Sequence, residues 1–170
     1  MRIAFAGNKA AIILLPFFLS ACAPPAVKLL TVGGVNLDAP ADQVYRGGRT
    51  YMTFSAHGTQ VEYLGKDGST ELWYPGNTVL VPGKWKLQAN DPVTTHYGDS
   101  ICYLYPSNSY NPIDHTFGGK WECEPARYHS TRVVDIVAGD PFGLSKRQSV
   151  PYILPRERTD LATLLARLKR

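Results

Sequence analysis

Between His57 and Glu124 no stretch reaches ten residues without a Gly or a Pro. That punctuation excludes a helical body, because helices of ordinary length need longer uninterrupted runs. What lies between the breakers reads as strands. Thr59-Gln60-Val61-Glu62-Tyr63-Leu64 alternates polar and apolar residues with period two, the pattern of a strand with one face buried. Asp67-Gly68 supplies the positive φ of a tight hairpin, and Thr70–Tyr74 returns from it. Pro75-Gly76 and Pro82-Gly83 read as type II turns on either side of Val79-Leu80-Val81, since Pro presets φ and Gly accepts a positive one. Lys84–Leu87, Ile101–Tyr105 and Lys120–Glu124 complete the set. The predicted fold class is mainly β: an antiparallel meander of seven or eight strands, a half-barrel or small sandwich, with one short C-terminal helix.

Alternation within two of these strands concerns the cysteines. In Ile101–Tyr105, Cys102 and Leu104 share one face and Tyr103 and Tyr105 the other; in Lys120–Glu124, Trp121 and Cys123 share a face. Paired in register, the strands bring Cys102, Cys123 and Trp121 together. The expectation is a disulfide inside the domain, shielded by the indole.

The chain opens with a targeting segment, residues 1–21, which takes no part in the fold. Arg2 and Lys9 form a basic start and Ala10–Leu19 an uncharged apolar run, about half the ~20 residues a spanning helix needs. The run ends in Leu19-Ser20-Ala21-Cys22, which resembles the bacterial lipobox in residue type and position. The resemblance implies cleavage before Cys22 and lipid attachment to its sulfur and amine. Ala23, rather than Asp, follows, which in lipoproteins of enteric type favours the outer membrane. Several acyl chains anchor stably where one is marginal, each buried CH₂ contributing about 0.8 kcal/mol. The expected location is therefore the bacterial envelope, facing the periplasm.

Removal of 21 residues from 170 leaves 149, enough for one domain with a core. The 18 basic and 14 acidic residues become 16 and 14 once Arg2 and Lys9 leave, a net charge of +2. That is too little to argue for a nucleic-acid partner. With Cys22 lipidated, Cys102 and Cys123 remain as an even pair in an oxidising compartment, where a disulfide is the default. Closing a loop of this length contributes about 3.4 kcal/mol in the chain-entropy model.

Residues 22–42 read as lipidated Cys and tether, stiffened by Pro24-Pro25, with Val27–Val32 a candidate first strand stopped by Gly33-Gly34. The β domain spans 43–140. Asn90–Ser100 is a polar connection, and Arg132–Val137 a further strand. Residues 141–170 form a linker and a short amphipathic helix, capped by Thr159 or Asp160, with Leu161, Leu164, Leu165 and Leu168 on one side. The helix is expected on the sheet; the alternative is an acidic membrane surface or partner. The loop Pro106–Gly119, inside the expected disulfide, is longer than a hairpin needs and is the candidate binding loop, through Tyr110, Asn111, Asp114 and His115.

No catalytic, cofactor or metal residues are assigned. Gly47-Gly48 lacks the GK[ST] of a phosphate loop. The four His stand at 57, 96, 115 and 129, outside HExxH or HxxxH spacing, and Cys102 and Cys123 form no CxxC knuckle for zinc. Neither a GxSxG elbow nor SxxK is present.

The stretches His57–Leu64, Leu72–Asn77, Gly83–Lys86, Ile101–Pro106 and Trp121–Cys123 resemble a group of small proteobacterial secreted proteins of unknown function. Their shared features are a G-x-W strand, a C-[YF] strand and a late Cys. The resemblance implies a sheet domain stapled by Cys102–Cys123 and no activity. Three functions follow as expectations. The first is a non-enzymatic, lipid-anchored envelope module that binds a ligand, an envelope protein or a cell-wall partner. The second is a periplasmic inhibitor of a cell-wall-degrading enzyme, suggested by likeness to disulfide-stapled β lipoproteins that inhibit lysozymes. The third is a small envelope enzyme. An inhibitor would present a protruding loop with an acid or hydroxyl, an enzyme a deep pocket with converging polar groups, and a scaffold neither.

Overall fold

The computed structural model describes residues 31–89 and 98–168. The signal segment, Cys22, the first part of the tether, the connection 90–97 with His96, and the last two residues lie outside them. The described residues open with a two-strand hairpin, β1 (Thr31–Val32) and β2 (Val35–Asn36), turning through Gly33 and Gly34 at φ +55° and +75°. A helical turn, α1 (Ala41–Val44), follows. The main strands are β3 (Arg49–Ser55), β4 (Gly58–Leu64), β5 (Ser69–Trp73), β6 (Val81–Gln88) and β7 (Ser100–Leu104). A small hairpin, β8 (Tyr110–Asn111) and β9 (Thr116–Phe117), interrupts the meander before β10 (Glu122–Pro125). Then come α2 (Ala126–Ser130), β11 (Val133–Ala138), a 3-10 turn at Leu144–Lys146 and α3 (Leu161–Leu168).

Seven of these strands form one antiparallel sheet in the order β10-β7-β6-β5-β4-β3-β11. It is a meander with one jump, as α2 carries the chain from the β10 edge to β11 at the far edge. The sheet curls into a half-barrel, so the fold class read from the sequence is the one observed.

The expectation of one buried face per strand needs correcting, because both faces are covered. On the concave face Tyr51, Leu64, Ile101, Val133 and Ile136 pack with Val44 and Tyr45 beside α1 and Ala126 of α2. On the convex face Met52, Val61 and Trp73, Cα partners across β3, β4 and β5, have no exposed surface. They are covered by Phe142, Leu144, Leu154, Leu161 and Leu164. Trp73 is the centre of this second core: its ring meets Phe142 and Tyr152 edge-on, and its Nε1 donates to the Tyr152 carbonyl at 3.1 Å. The indole thus combines a large apolar area with a satisfied polar atom.

Leu37 and Ala41, from the stretch read as tether and approach, are therefore core residues, and residues 142–164, read as linker and helix, supply half of the second core. Asp160 is the cap of α3, accepting from the Thr163 N–H at 2.7 Å. Pro75-Gly76 sits at a turn with Gly76 at φ +83°, but Pro82-Gly83 does not: both lie inside β6, opposite Glu71 and Thr70. A Cβ on Gly83 would come within 2.8 Å of the Leu104 carbonyl and of the Tyr105 ring. Glycine stands there because a neighbouring strand approaches closely, not because the chain turns.

Cys102 and Cys123 are Cα partners across β7 and β10 and are joined by a disulfide, S–S 2.01 Å. Their predicted orientation is reversed. Ile101 and Tyr103 face the concave core, so alternation turns the cysteines to the convex side. Cys102 is buried there, Cys123 is exposed, and Trp121 is 39% exposed with Lys86 Nζ 4.7 Å from its ring. The indole lies outside the domain because the C-terminal segment covers only the β3–β5 half of the convex face.

Candidate functional site

The helices close only part of the concave face. Beyond them the half-barrel holds a cavity of about 920 Å³, the size range of small-molecule sites. Its floor follows from the register. Glu62 lies between Tyr51 and Leu72, and Leu72 is next to Val81. Tyr103 and Tyr105 rise from the β7 side with parallel rings, centroids 6.0 Å apart. Glu122 and Glu124 come from β10, and His129 and Arg132 from α2 and the turn after it.

Glu62 is the centre of this arrangement. Its Oε1 accepts from the Tyr105 hydroxyl at 2.6 Å and from the Thr70 hydroxyl at 2.7 Å. Gly83 allows the first contact, since any Cβ there would occupy the space of the Tyr105 ring. Burial pushes the Glu62 carboxyl up to about 7, with a smaller push from Glu71, against the hydrogen bonds, which favour the ionised form. Burial and then the Glu62 charge raise both tyrosines well above their ordinary value, so their hydroxyls stay protonated donors.

The side wall is a polar cluster with its own charge balance. Arg132 Nη2 and Glu124 Oε1 form an ion pair, and the Arg132 guanidinium also lies 5.1 Å from the Tyr128 ring centre. His129 is buried, with its Nδ1 2.7 Å from the Tyr45 hydroxyl and its ring 5.9 Å from that of Tyr103. Burial, and then Arg132, lowers its pKa to about 3, so the imidazole is neutral at physiological pH.

The mouth is formed by the loop singled out from the sequence. The loop folds as the β8–β9 hairpin, and Tyr110, Asn111 and Asp114 line the cavity entrance. Asp114 Oδ2 accepts from Asn111 Nδ2 at 2.8 Å and lies 4.0 Å from His57 Nε2 across the mouth. His57 Nδ1 is 3.2 Å from the Tyr74 hydroxyl, and burial lowers the pKa of this His although Asp114 opposes the shift. His115 does not join the lining. It sits at φ +55° in the hairpin turn, with its Nδ1 2.9 Å from the Tyr110 hydroxyl. Tyr110 and Phe117 pack on each other, centroids 5.0 Å apart, and are 50% and 62% exposed.

Cys22, the expected lipid attachment residue, lies outside the described residues. Among the described residues no group of three or more His, Cys, Asp or Glu is arranged to hold a metal ion, and no helix is long and apolar enough to cross a membrane. Sequence reasoning missed Glu62, Tyr103, Tyr105, His57, His129 and Arg132 as site residues. One signal was present: Glu62 stands in phase with Leu64 on its own strand, an acid on what proves to be an inward face. Comparison of the chain with protein-family models, curated proteins and solved structures gives no match.

Proposed function

We propose that the chain is a lipid-anchored protein of the bacterial envelope, tethered through Cys22 to the outer membrane and facing the periplasm. It acts there as a non-enzymatic binding module whose ligand enters the half-barrel. The observation that carries the binding reading is the cavity of about 920 Å³, with Glu62, Tyr103 and Tyr105 converging on it from a rigid sheet. Concave sites with a few oriented polar groups are where small ligands bind. The anchor rests on the Leu19-Ser20-Ala21-Cys22 box.

The test is an NMR titration of the mature chain with small molecules extracted from the envelope. Shifts should gather at Thr53, Glu62 and Tyr103 and vanish in Thr53→Trp, which fills the cavity. Shifts elsewhere, or none, would remove the reading. For the anchor, Cys22→Ser should leave the precursor unprocessed or release the protein to the soluble periplasm. Normal maturation and membrane recovery of that variant would refute it.

Two features favour other readings. The exposed Tyr110–Phe117 pair suits docking into a partner's cleft, as an inhibitor of a cell-wall-degrading enzyme would. Loss of such inhibition in Tyr110→Ala/Phe117→Ala would establish that role. Convergent polar groups in a pocket are also what an enzyme carries, and Glu62 has the proton affinity of a general acid or base at neutral pH. Turnover of a cavity-bound compound, lost in Glu62→Gln, would turn the binding module into an enzyme.

A further inference from the structure

The chemistry of the cavity wall narrows the class of ligand. Four carboxylates line it, Glu62, Glu122, Glu124 and Asp114, against one Lys or Arg among the described residues, Arg132. Arg132 is already paired with Glu124, and both lining imidazoles, His57 and His129, are held toward the neutral form by burial. Four phenols, Tyr74, Tyr103, Tyr105 and Tyr110, stand among lining residues that are otherwise mostly uncharged polar or aliphatic.

Glu62 sharpens the imbalance. A buried carboxylate is normally matched by a cation, because desolvation without a partner is costly. Among the described residues no Lys, Arg or His lies within ion-pair distance of Glu62; its partners are the neutral hydroxyls of Tyr105 and Thr70. The sheet thus holds an acid beneath an open cavity with no counter-charge beside it among the described residues.

We propose that the cavity binds a small organic cation, an ammonium compound whose positive charge sits against Glu62 beside the Tyr103 and Tyr105 side chains. This rests on the reading of the cavity as a ligand site. Each part of the wall then has a use. Glu62 supplies the ionic partner, the phenol rings supply the attraction of aromatic faces for cations, and Glu122 and Asp114 give the entrance a negative potential that draws cations in. An anion would meet several unpaired carboxylates. A neutral polyol would leave Glu62 without its counter-charge. An inorganic divalent ion would need several oxygen ligands closing around it, and no grouping of three acids or imidazoles is available among the described residues.

The site also couples to protons, with Glu71 on β5, Tyr103 and Tyr105 on β7, Tyr51 on β3, Glu122 and Glu124 on β10 and Arg132 after α2 as the charged or titratable groups around Glu62. A bound ammonium favours the ionised carboxyl, so cation binding strengthens as pH rises and Glu62 gives up its proton.

The test compares matched probes on the mature wild-type chain by calorimetry and NMR. Choline is set against its uncharged carbon isostere, and benzylamine against benzyl alcohol and benzoate, at pH 8. The cations should bind in the cavity at least about tenfold more tightly than their neutral isosteres, and benzoate should not bind. Glu62→Gln should lose about tenfold or more for the cations alone and flatten their pH dependence between pH 5.5 and 8. Equal binding of neutral and cationic probes, or unchanged cation binding in Glu62→Gln, overturns the cation assignment and leaves the cavity standing as a site for another class. Failure of every probe, at every charge, to shift cavity resonances overturns both. The isostere comparison needs no variant, so poor folding of Glu62→Gln would not rescue the idea.

Discussion

At the scale of single residues, the functional face is shaped by groups whose protonation the fold has displaced. Glu62 is raised to about 7 by burial, from the 4.5 of a free carboxyl. Between those values the folded chain keeps a proton that the unfolded chain releases, so stability falls as pH rises from 4.5 through 7. At 1.36 kcal/mol per unit the cost is at most about 3 kcal/mol above pH 7. Glu62→Gln keeps an oxygen acceptor for Tyr105 and Thr70 but never ionises. It is expected to unfold at higher denaturant than wild type at pH 8 and at about the same concentration at pH 4.5. A variant less stable than wild type at pH 8 would mean that the ionised carboxylate is held by a partner in the free protein. His129 acts in the opposite sense: its folded value of about 3 lies below the usual 6.5, so stability is lost as pH falls below 6.5. Comparing variant and wild type at each pH cancels that contribution. These shifts were not legible in Gln60-Val61-Glu62-Tyr63, which reads as an ordinary strand with its polar side to solvent apart from the phase that Glu62 shares with Leu64. Glu62 becomes an interior acid only because β7 curls over it and brings Tyr105 to its carboxylate.

At the scale of elements, the legible parts were those set by local chemistry. Period-two alternation and Gly-marked turns located β4, β5 and β7, and cysteine parity gave the Cys102–Cys123 link. Pro82-Gly83 reads as a turn in sequence because the need for glycine arises from Leu104 and Tyr105 at the end of β7, far along the chain. The disulfide ties β10, an edge strand with one sheet neighbour, to the body of the sheet, and β10 carries the Glu122 and Glu124 wall. Cys102→Ala/Cys123→Ala should therefore lower stability by about 3 kcal/mol. Amide exchange should rise more over Glu122–Pro125 than over β3 and β4. A uniform rise, or an unchanged melting temperature, would show that β10 is held by its ladder alone. The β8–β9 hairpin behaves differently, since its side chains are mostly exposed and bonded to one another. Tyr110→Ala/Asn111→Ala/His115→Ala should leave the melting temperature within a few degrees of wild type while weakening capture of any partner or cavity ligand. Retention of every partner and ligand would reduce the hairpin to a connection.

At the scale of the whole molecule, the sheet is incomplete without the chain that follows it. Residues 141–170 look like an appendage in sequence: three prolines, a polar stretch and eight helical residues. Their apolar side chains are too sparse to announce a core, and only the fold-back over the convex face reveals their partners. Phe142, Leu144, Leu154, Leu161 and Leu164 are all buried there against Met52, Val61 and Trp73. Burial of each such side chain contributes about 1.5–3 kcal/mol before the entropy of ordering it is subtracted, and removing the segment would expose its three sheet partners as well. The buried leucines of α3 are likewise committed to the sheet, and Arg167 lies 4.1 Å from the Tyr152 ring centre rather than on an unpaired basic face. A chain ending at Asp140 should therefore fail to fold, giving collapsed amide NMR dispersion and no cooperative melt. Leu161→Ala/Leu164→Ala should still fold but lose roughly 4 kcal/mol or more through cavities in the second core. If the shortened chain instead keeps native dispersion and melts as wild type, the sheet stands on its concave core alone. The C-terminal segment would then be free to serve a membrane or a partner.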